Sequence, residues 1–247
     1  MSYSPVPPTS AARPAPQPVD ERLTPAYYLQ AAGLGPVERV LRCCPSVFDI
    51  KGAIALALDV PEAAGLLPTS GGLIEDGADL HGRVIVQEGA RIEAGARIVG
   101  PVLICSGSVI SSGALVRDHT IIGPNCHVGF GAEITRSLLA GGCLMKHPSF
   151  VGDSVIGTGV NVGAFTTTTA LRCDGGPVTE PATEQITVTL DGRRISTGQT
   201  KFGAVIGTGV ALPAGTVLAP GTLIGPGTVI YPRTLLGGVL PTGSRVR

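Results

Sequence analysis

One histidine, His147, lies in a segment that otherwise holds few groups able to do chemistry, LMKHPSFVGDSVIGTGVNVGAFTTTT at residues 144–169. The whole chain has four histidines, and charged residues make up 15% of it. A neutral imidazole with a pKa near the working pH can take a proton from a nucleophile as that nucleophile attacks. A lone histidine in a strand is more often a hydrogen-bonded wall residue, so the elements around His147 must decide between the two roles.

The composition restricts the kinds of partner that the chain can have. Eighteen basic residues balance 18 acidic residues, and the isoelectric point is near 6.9. This balance gives no electrostatic footprint for nucleic acid or an anionic membrane. The most apolar stretch, IKGAIALALDV, is too short to span a bilayer, and the first residues do not follow the pattern of a signal peptide. We therefore expect a cytoplasmic protein with no nucleic-acid or membrane partner.

The cysteines also favour a reducing compartment. None of the six forms a C-x-x-C pair, and Cys43 and Cys44 are adjacent. Disulfide scaffolds and zinc ribbons need other spacings. We expect small buried thiols.

A repeat of six residues organises most of the chain. Eleven consecutive positions at this spacing hold Ile, Leu or Val, and the residues two positions before them are mostly small. The phase slips by one residue after Ile134, slips again after Val151, and resumes at Ile206. The first run is Ile74, Leu80, Val86, Ile92, Ile98, Ile104, Ile110, Val116, Ile122, Val128 and Ile134.

A period of six fits neither a helix nor one long strand. It fits short strands joined by tight turns, in which each strand sends one aliphatic side chain inward and three strands complete a triangular coil. We predict an all-β fold over residues 69–247, a single-stranded parallel β-helix of hexapeptide repeats. Its left-handed sense follows from the class of repeat and not from the period.

Three segments depart from the repeat. Residues 1–20 are rich in Pro, Ala and Ser and predict a disordered tail. Residues 21–68 have apolar residues at helical spacing, with Asp20 and Ser46 as caps, and predict short helices packed against one end of the stack. Residues 171–200 predict a protruding loop with a hairpin that turns at Asp191 and Gly192.

The segments KHPSFVGDSVIGTGVNVGAFT, LRCDG and TKFGAVIGTGV resemble a known family. They are similar to the acetyltransferase half of bifunctional sugar-1-phosphate acetyltransferase/nucleotidylyltransferases, such as N-acetylglucosamine-1-phosphate uridyltransferase, and most similar to the archaeal type. The likeness runs from about residue 74 to the C-terminus. The family's nucleotidylyltransferase domain has no counterpart here, so we do not expect that activity.

The resemblance implies a role for individual residues. His147 matches the family's general base, and the backbone N–H of Ala164 falls where the family has an oxyanion donor. Acyl-CoA contacts are implied for Ala204, Ala214 and Tyr231. Substrate contacts are implied for Arg117, Glu133, Arg136, Phe150, Asn161 and Arg172.

Several positions differ from the family pattern. Thr135 stands where the family has a phosphate-binding lysine, with Arg136 beside it, and Phe150 replaces the motif tyrosine. Ala170 replaces an asparagine, and the archaeal lysines fall at Gly176 and Thr179. Each of these groups contacts the sugar or its phosphate in the family. We therefore expect an acceptor other than a hexosamine 1-phosphate.

The class implies a homotrimer with sites shared between chains, and loop 171–200 would then reach onto a neighbour. Acetyl-CoA or another acyl-CoA would be the co-substrate, and acyl transfer to an amine needs no metal. His81, His119 and His127 are 38 and then 8 residues apart. This is not the spacing of the zinc ligands in trimeric β-helical carbonic anhydrases, so we expect no metal site.

Two functions remain open on the sequence. The first is an acyl-CoA-dependent N-acyltransferase acting on an amino sugar, a sugar phosphate or a sugar nucleotide. The second is a non-catalytic trimeric scaffold or regulatory subunit, in which His147 is a wall residue. Arg117 would then simply pair with Asp118 or Glu133, and Asn161 would stack in a turn of the coil.

Overall fold

Short parallel strands wound around a triangular core form most of the molecule. The computed structural model describes residues 20–66, 71–172, 184–232 and 235–247. The predicted tail therefore lies almost entirely outside the described residues. No helix within these ranges is long and apolar enough to cross a bilayer.

The strands, numbered along the chain, form three faces, and each strand pairs in parallel with its counterpart one coil away. The first face contains β1 (Leu73–Ile74), β4 (Arg91–Ile92), β7 (Val109–Ile110), β10 (His127–Val128), β13 (Leu144–Met145), β16 (Asn161–Val162), β21 (Ala211–Leu212), β24 (Val229–Ile230) and β27 (Arg245–Val246). The second face contains β2 (Asp79–His81), β5 (Arg97–Val99), β8 (Leu115–Arg117), β11 (Ala132–Thr135), β14 (Ser149–Gly152), β17 (Thr167–Thr168), β22 (Val217–Leu218) and β25 (Leu235–Leu236). The third face contains β3 (Val84–Val86), β6 (Val102–Ile104), β9 (Thr120–Ile122), β12 (Leu138–Leu139), β15 (Val155–Ile156), β20 (Ala204–Ile206), β23 (Thr222–Ile224) and β26 (Val239–Leu240).

This arrangement confirms the predicted left-handed parallel β-helix. The periodic aliphatic residues form one continuous core inside the coils, with fully buried members such as Ile98, Val116 and Ile134. These three residues lie directly above one another in the ladder of β5, β8 and β11. Burial of one such side chain contributes about 2 kcal/mol, so the stacked side chains add to the cohesion between coils.

Both slips of the six-residue phase occur at one edge of the triangle, between the second and third faces. Where the spacing is six, the turn after Val116 holds two residues in the left-handed region, Asp118 (φ 50°) and His119 (φ 46°). Where the spacing falls to five, the turn has one such residue, Arg136 (φ 45°) or Asp153 (φ 52°). Each slip is therefore the loss of one turn residue, and the inward side chains keep their register.

The N-terminal helices lie along the third face, so the predicted packing against one end of the stack is wrong. The outward side chains of this face, among them Ile85, Leu103 and Val205, are buried and belong to one apolar cluster with Tyr28 and Ile54 of the helices. A sheet that is buried on both sides needs such a cover. The helices are α1 (Pro25–Tyr28), α2 (Pro36–Arg42) and α3 (Ile50–Asp59), with 3-10 turns at Glu21–Leu23 and Val47–Asp49.

The predicted caps are confirmed, and both begin 3-10 turns. Asp20 Oδ1 accepts a hydrogen bond from the N–H of Arg22 (3.0 Å). Ser46 and Asp49 form a reciprocal capping box, in which Asp49 Oδ2 accepts from the N–H of Ser46 (2.9 Å). These bonds satisfy N–H groups that have no partner within the turn itself.

The predicted hairpin is confirmed, but its described part does not protrude. Strands β18 (Thr187–Leu190) and β19 (Arg193–Ser196) pair antiparallel around Asp191 and Gly192, both with positive φ. The hairpin buries Val188 and Leu190 in the apolar cluster of the third face, and Gln199 Nε2 donates to Phe48 O (2.7 Å). Residues 184–200 therefore pack on their own chain, while 173–183 lie outside the described residues, and the predicted contact with a neighbouring chain stays a prediction.

An ion pair fastens helix α3 to the edge between the second and third faces. Lys51 Nζ lies 2.7 Å from Asp153 Oδ1 and also donates to Lys201 O (2.5 Å). Arg136 forms two hydrogen bonds to the same carboxylate, each 3.0 Å. The Asp153 side chain is only 3% exposed. A carboxylate this deeply buried depends on its cationic partners.

We expect Lys51→Met to lower the free energy of unfolding by about 2 kcal/mol, because Asp153 would keep only one cationic partner. Urea denaturation would measure the change. Arg42→Met is the matched control, because Arg42 forms an exposed ion pair with Glu38 on helix α2 and should have little effect. Equal losses in the two variants would contradict the anchoring role.

The charge of Asp153 should also make stability depend on acid pH. Burial alone would raise its pKa, but hydrogen bonds from Arg136 and Lys51 outweigh burial and hold the pKa below its usual range. The folded pKa is thus below the unfolded value of about 3.9, so the stabilisation is complete above that value and is lost as pH falls through the folded pKa. The stability difference between wild type and Asp153→Asn should be constant from pH 5 to 7 (roughly) and shrink below about pH 4. A difference that stayed constant into strong acid would refute this.

Candidate functional site

His147 lies on the exposed edge between the first and second faces, in the turn that joins β13 to β14. Its backbone carbonyl accepts a hydrogen bond from Ser149 Oγ (2.8 Å), which fixes the turn. No group among the described residues hydrogen-bonds its imidazole, so the ring is not a buried wall residue in this structure. An exposed imidazole with no protein partner is able to accept a proton from a ligand.

The strand register decides what lies above and below His147. Parallel pairing places Val128, Met145, Val162 and Leu212 in one ladder, so the residues two positions further along share the same edge. That edge carries, in successive coils, Phe130, His147, Ala164 and Ala214. The structure therefore brings three predicted residues, His147, Ala164 and Ala214, into neighbouring coils, although they are far apart in sequence.

The backbone N–H of Ala164 has no acceptor among the described residues. At the equivalent turn nearer the N-terminal end, the N–H of Ala94 donates to Glu75 Oε2 (3.0 Å) and that of Ser112 to Glu93 Oε2 (3.2 Å). No acidic side chain takes this place below Ala164. A donor without a protein acceptor, one coil from an exposed imidazole, can receive an oxyanion.

Three other residues were predicted to contact the acceptor or acyl-CoA near His147, and the structure places only two of them near this edge. Asn161 is exposed on the first face beside the edge, and Tyr231 lies near the same edge, with the Arg247 guanidinium 5.5 Å from its ring centroid. Ala204 does not belong here, and its predicted contact with acyl-CoA is not one that its side chain can make. It lies inside the coil at the start of β20, fully buried, and its N–H donates to Ser154 Oγ (3.0 Å).

The edge between the second and third faces holds two of the three predicted substrate-binding arginines, Arg117 and Arg136, and both are paired with carboxylates. Arg117 bonds Glu133 Oε1 through Nη2 (2.8 Å) and Nε (3.0 Å), and it also bonds Asp118. Burial acts to lower the pKa of Arg117, but the hydrogen bonds to Glu133 and Asp118 raise it by more. The pKa therefore lies above its ordinary value, and the guanidinium stays positively charged. Arg136 pairs with Asp153 in the next coil and lies 3.5 Å from Asp118.

Two positions that differ from the family pattern are structurally explained. Thr135 Oγ1 donates to Asp118 Oδ2 (3.2 Å), so the hydroxyl joins the ion-pair cluster where a lysine would add a charge. The Phe150 ring lies across Gly152, and a Cβ at that glycine would come within 2.8 Å of two ring carbons. Phe150 thus occupies the second face between the His147 edge and the Arg136 edge.

The remaining predicted residues lie in and around residues 171–200, the segment that leaves the coil and is called the excursion below. Arg172 Nη1 bonds Glu184 Oε2 (3.1 Å). Ala170 O accepts from the N–H of Phe202, which closes the excursion. Gly176 and Thr179 lie outside the described residues.

The thiols and the other histidines do not assemble with His147. Cys44, Cys105, Cys126 and Cys143 are buried as predicted, and burial raises the pKa of Cys44 and of Cys105 to about 12. Cys43 is exposed, which differs from the prediction, and Cys173 is outside the described residues.

His81, His119 and His127 each have a separate partner: Asp79 (2.6 Å), Asp59 (2.9 Å) and Ser111 (3.0 Å). No three metal-ligating side chains cluster in the described part of the chain.

Comparisons with known proteins match parts of this chain. The family described as the GMPPB C-terminal domain matches residues 98–195. The bifunctional sugar-1-phosphate nucleotidylyltransferase/acetyltransferase of Sulfurisphaera tokodaii is 40% identical over 136 residues, which is 55% of this chain and 32% of that protein. The bifunctional protein GlmU of Methanococcus vannielii is 41% identical over 145 residues, 59% of this chain and 33% of the relative.

The resemblance to the bifunctional sugar-1-phosphate nucleotidylyltransferase/acetyltransferases is confirmed. The chain spans about one third of the length of these relatives. Among solved structures, a mutant perosamine N-acetyltransferase of Caulobacter crescentus, in complex with CoA and GDP-perosamine, matches 72% of this chain and 62% of its own. Its identity is 16% and its TM-score 0.25, so this likeness carries no argument.

The packing of Phe150 on Gly152 gives a test of the site's geometry. We expect Gly152→Ala to cost about 1–3 kcal/mol, because the new methyl group would displace the Phe150 ring. Gly52→Ala is the matched control, since Gly52 is exposed within helix α3 with nothing within 4 Å of the position that a Cβ would take, and it should be mildly stabilising. Thermal unfolding would measure both changes. The additional substitution Phe150→Ala should relieve the Gly152→Ala cost, and no relief would show that the ring is not the obstacle.

Proposed function

We propose that this protein transfers an acyl group, most simply acetyl, from acyl-CoA to the amine of a sugar-related acceptor. The observation that carries the proposal is the edge between the first and second faces. There the exposed imidazole of His147 lies one coil from the backbone N–H of Ala164, and neither group has a hydrogen-bond partner among the described residues. A base and an oxyanion donor are the two groups that thioester aminolysis requires.

In this mechanism the two groups act on one step. The acceptor nitrogen attacks the thioester carbonyl, and His147 takes the proton that the nitrogen releases. The N–H of Ala164 donates to the oxygen as it becomes negative, which stabilises the tetrahedral intermediate. Collapse of the intermediate breaks the C–S bond and releases CoA. The proposal needs no metal and no covalent enzyme intermediate.

The relatives support an acetyl transfer on a sugar-related substrate, because the protein from Sulfurisphaera tokodaii is named as an acetyltransferase as well as a nucleotidylyltransferase. The acceptor is proposed to differ from a hexosamine 1-phosphate. In support of this, Arg117 and Arg136 are already bound to carboxylates, and Thr135 supports Asp118 in place of a lysine.

We also propose a cytoplasmic homotrimer with sites between chains. The third face is covered by the chain's own helices and hairpin, so only the first and second faces remain for neighbours. Both of these faces expose aliphatic side chains, including Leu73, Val229 and Leu235. Residues 1–20, 21–68 and 69–247 are proposed as tail, helical segment and β-helix domain.

One observation favours a non-catalytic scaffold as the second candidate. The ion pairs of Arg117 with Glu133 and Asp118 are what a purely structural arginine would form. This pairing concerns the acceptor side alone and leaves the imidazole and the Ala164 N–H unchanged.

Calorimetric titration with acetyl-CoA, followed by a screen of amines for CoA release, tests the proposal. We expect one acetyl-CoA site per chain, and His147→Asn should lower kcat by about 100- to 10,000-fold with unchanged unfolding temperature. His81→Gln is the control, because His81 lies in the first coil and pairs with Asp79. If acetyl-CoA, free CoA and longer acyl-CoAs all fail to bind, or if the two histidine variants behave alike, the scaffold becomes the better account.

A further inference from the structure

Three of the five phenylalanines of the chain lie around His147. Phe130 lies one coil before His147 on the same edge, Phe150 lies on the second face in the coil of His147, and Phe165 lies in the turn of the following coil. The other two pack against each other in the apolar cluster of the third face, with their ring centroids 5.5 Å apart. The phenyl rings that this cluster does not use are therefore concentrated at the candidate site.

Phe165 occupies a backbone position that most other coils give to glycine. Its φ is 59°. The glycines at this place of the turn in four other coils have φ between 72° and 80°: Gly95, Gly113, Gly131 and Gly215. A bulky residue in the left-handed region is strained, whereas glycine is not. The N–H of Phe165 donates to Pro148 O (2.6 Å), so this strained residue is fastened to the turn that holds His147.

The ring of Phe165 does not offset this strain by packing within its own chain. The residue is 69% exposed. Phe130 is 68% exposed, although one side of its ring lies against Gly113, where an added Cβ would come within 2.5 Å of Cδ2. A strained residue with no evident benefit to folding, next to a candidate base, is typical of a functional position.

The turns of this edge near His147 contain no acidic residue. In the four coils from Phe130 onward, the turn residues are 129–131, 146–148, 163–165 and 213–215, and none of them is Asp or Glu. Nearer the N-terminal end, Glu75 and Glu93 occupy the same edge. A primary amine is protonated at neutral pH, and an aromatic face within about 6 Å attracts such a cation. The phenyl rings are therefore the groups of these turns that suit an ammonium ion.

The carbon atoms next to the reacting amine must also meet these rings. The acceptor nitrogen has to lie within hydrogen-bond reach of the imidazole, about 3 Å. Successive coils are about 4.8 Å apart, so Phe130 and Phe165 begin within about one to two coil spacings of His147. A hydroxyl group held against the phenyl rings would lose its hydrogen bonds to water without gaining a protein partner.

We propose that Phe130 and Phe165 bind the amino group and the adjoining ring carbons of the acceptor, and that Phe165 is a specificity-determining residue. The acceptor is then an amino sugar whose carbons beside the amine present C–H groups, and not hydroxyl groups, to the protein. This inference rests on the proposed function, because that function places the amine at His147.

Saturation-transfer NMR at neutral pH with cyclohexylamine tests the aromatic site without any activity. We expect the full-length protein to saturate the ring protons of cyclohexylamine more strongly than those of glucosamine, whose carbons beside the amine carry hydroxyl groups. Phe165→Gly should reduce the cyclohexylamine signal about threefold or more, which is the loss of one exposed cation–π contact. Equal signals from the two amines, or an unchanged signal in Phe165→Gly, would overturn the inference.

Asn125→Gly is the matched control. Asn125 (φ 56°) is also exposed and also stands where other coils have glycine, but at the edge between the third and first faces. This variant should keep the wild-type signal. Phe165→Gly should keep or raise the unfolding temperature, because glycine adopts positive φ without strain. A lower unfolding temperature, or a smaller assembly by light scattering, would make the ring a structural contact and would overturn its role in binding.

A kinetic arm separates this inference from the proposed function. With acetyl-CoA and an amine found in the screen for CoA release, Phe165→Gly should raise KM for the amine about threefold or more and keep KM for acetyl-CoA within about twofold of wild type. A loss confined to acetyl-CoA would overturn the assignment to the acceptor. A protein that shows the cyclohexylamine contact but releases CoA with no amine would refute the proposed function and not the aromatic site.

Discussion

The parallel hydrogen bonds between successive coils are the interaction on which the rest of this structure depends. They hold each residue over its counterpart one coil away, as in the ladder of Ile98, Val116 and Ile134. Because the register is kept through both phase slips, the residue at a given position of one turn lies next to the residue at the same position of the following coil. The edge that holds His147 owes its composition to this rule, since Phe130 and Ala164 are its neighbours only through the register.

A second constraint is the aliphatic outer surface of the third face. Residues such as Leu103, Ile121 and Leu223 point away from the coil interior and still require burial. The chain meets this requirement with its own helices and hairpin, so the helical segment is part of the packing of the coil. The Lys51–Asp153 ion pair extends this packing to the edge of the second face and links helix α3 to the cluster that contains Arg136.

The two edges of the second face differ in chemistry. One edge offers an imidazole and a backbone N–H that lack partners among the described residues, which are groups suited to the acyl end of a reaction. The other edge is electrically balanced by six paired charges.

The sequence by itself determined the coil, because a six-residue period of Ile, Leu and Val admits one simple architecture, and the hairpin, because Asp191 and Gly192 tolerate positive φ. The motif around His147 also indicated the resemblance to the bifunctional acetyltransferase family. The position of the helices was decided only by the tertiary structure, although a signal was present: paired aliphatic residues such as Leu103–Ile104 and Leu138–Leu139 recur on the third face and indicate burial on both sides. The pairing of Arg117 and of Arg136 with carboxylates and the burial of Ala204 also needed the tertiary structure. Each depends on residues that are distant in sequence and meet only when the coils stack and the excursion folds back, because a local pattern specifies the turn of a coil but not the partner that the next coil brings to it.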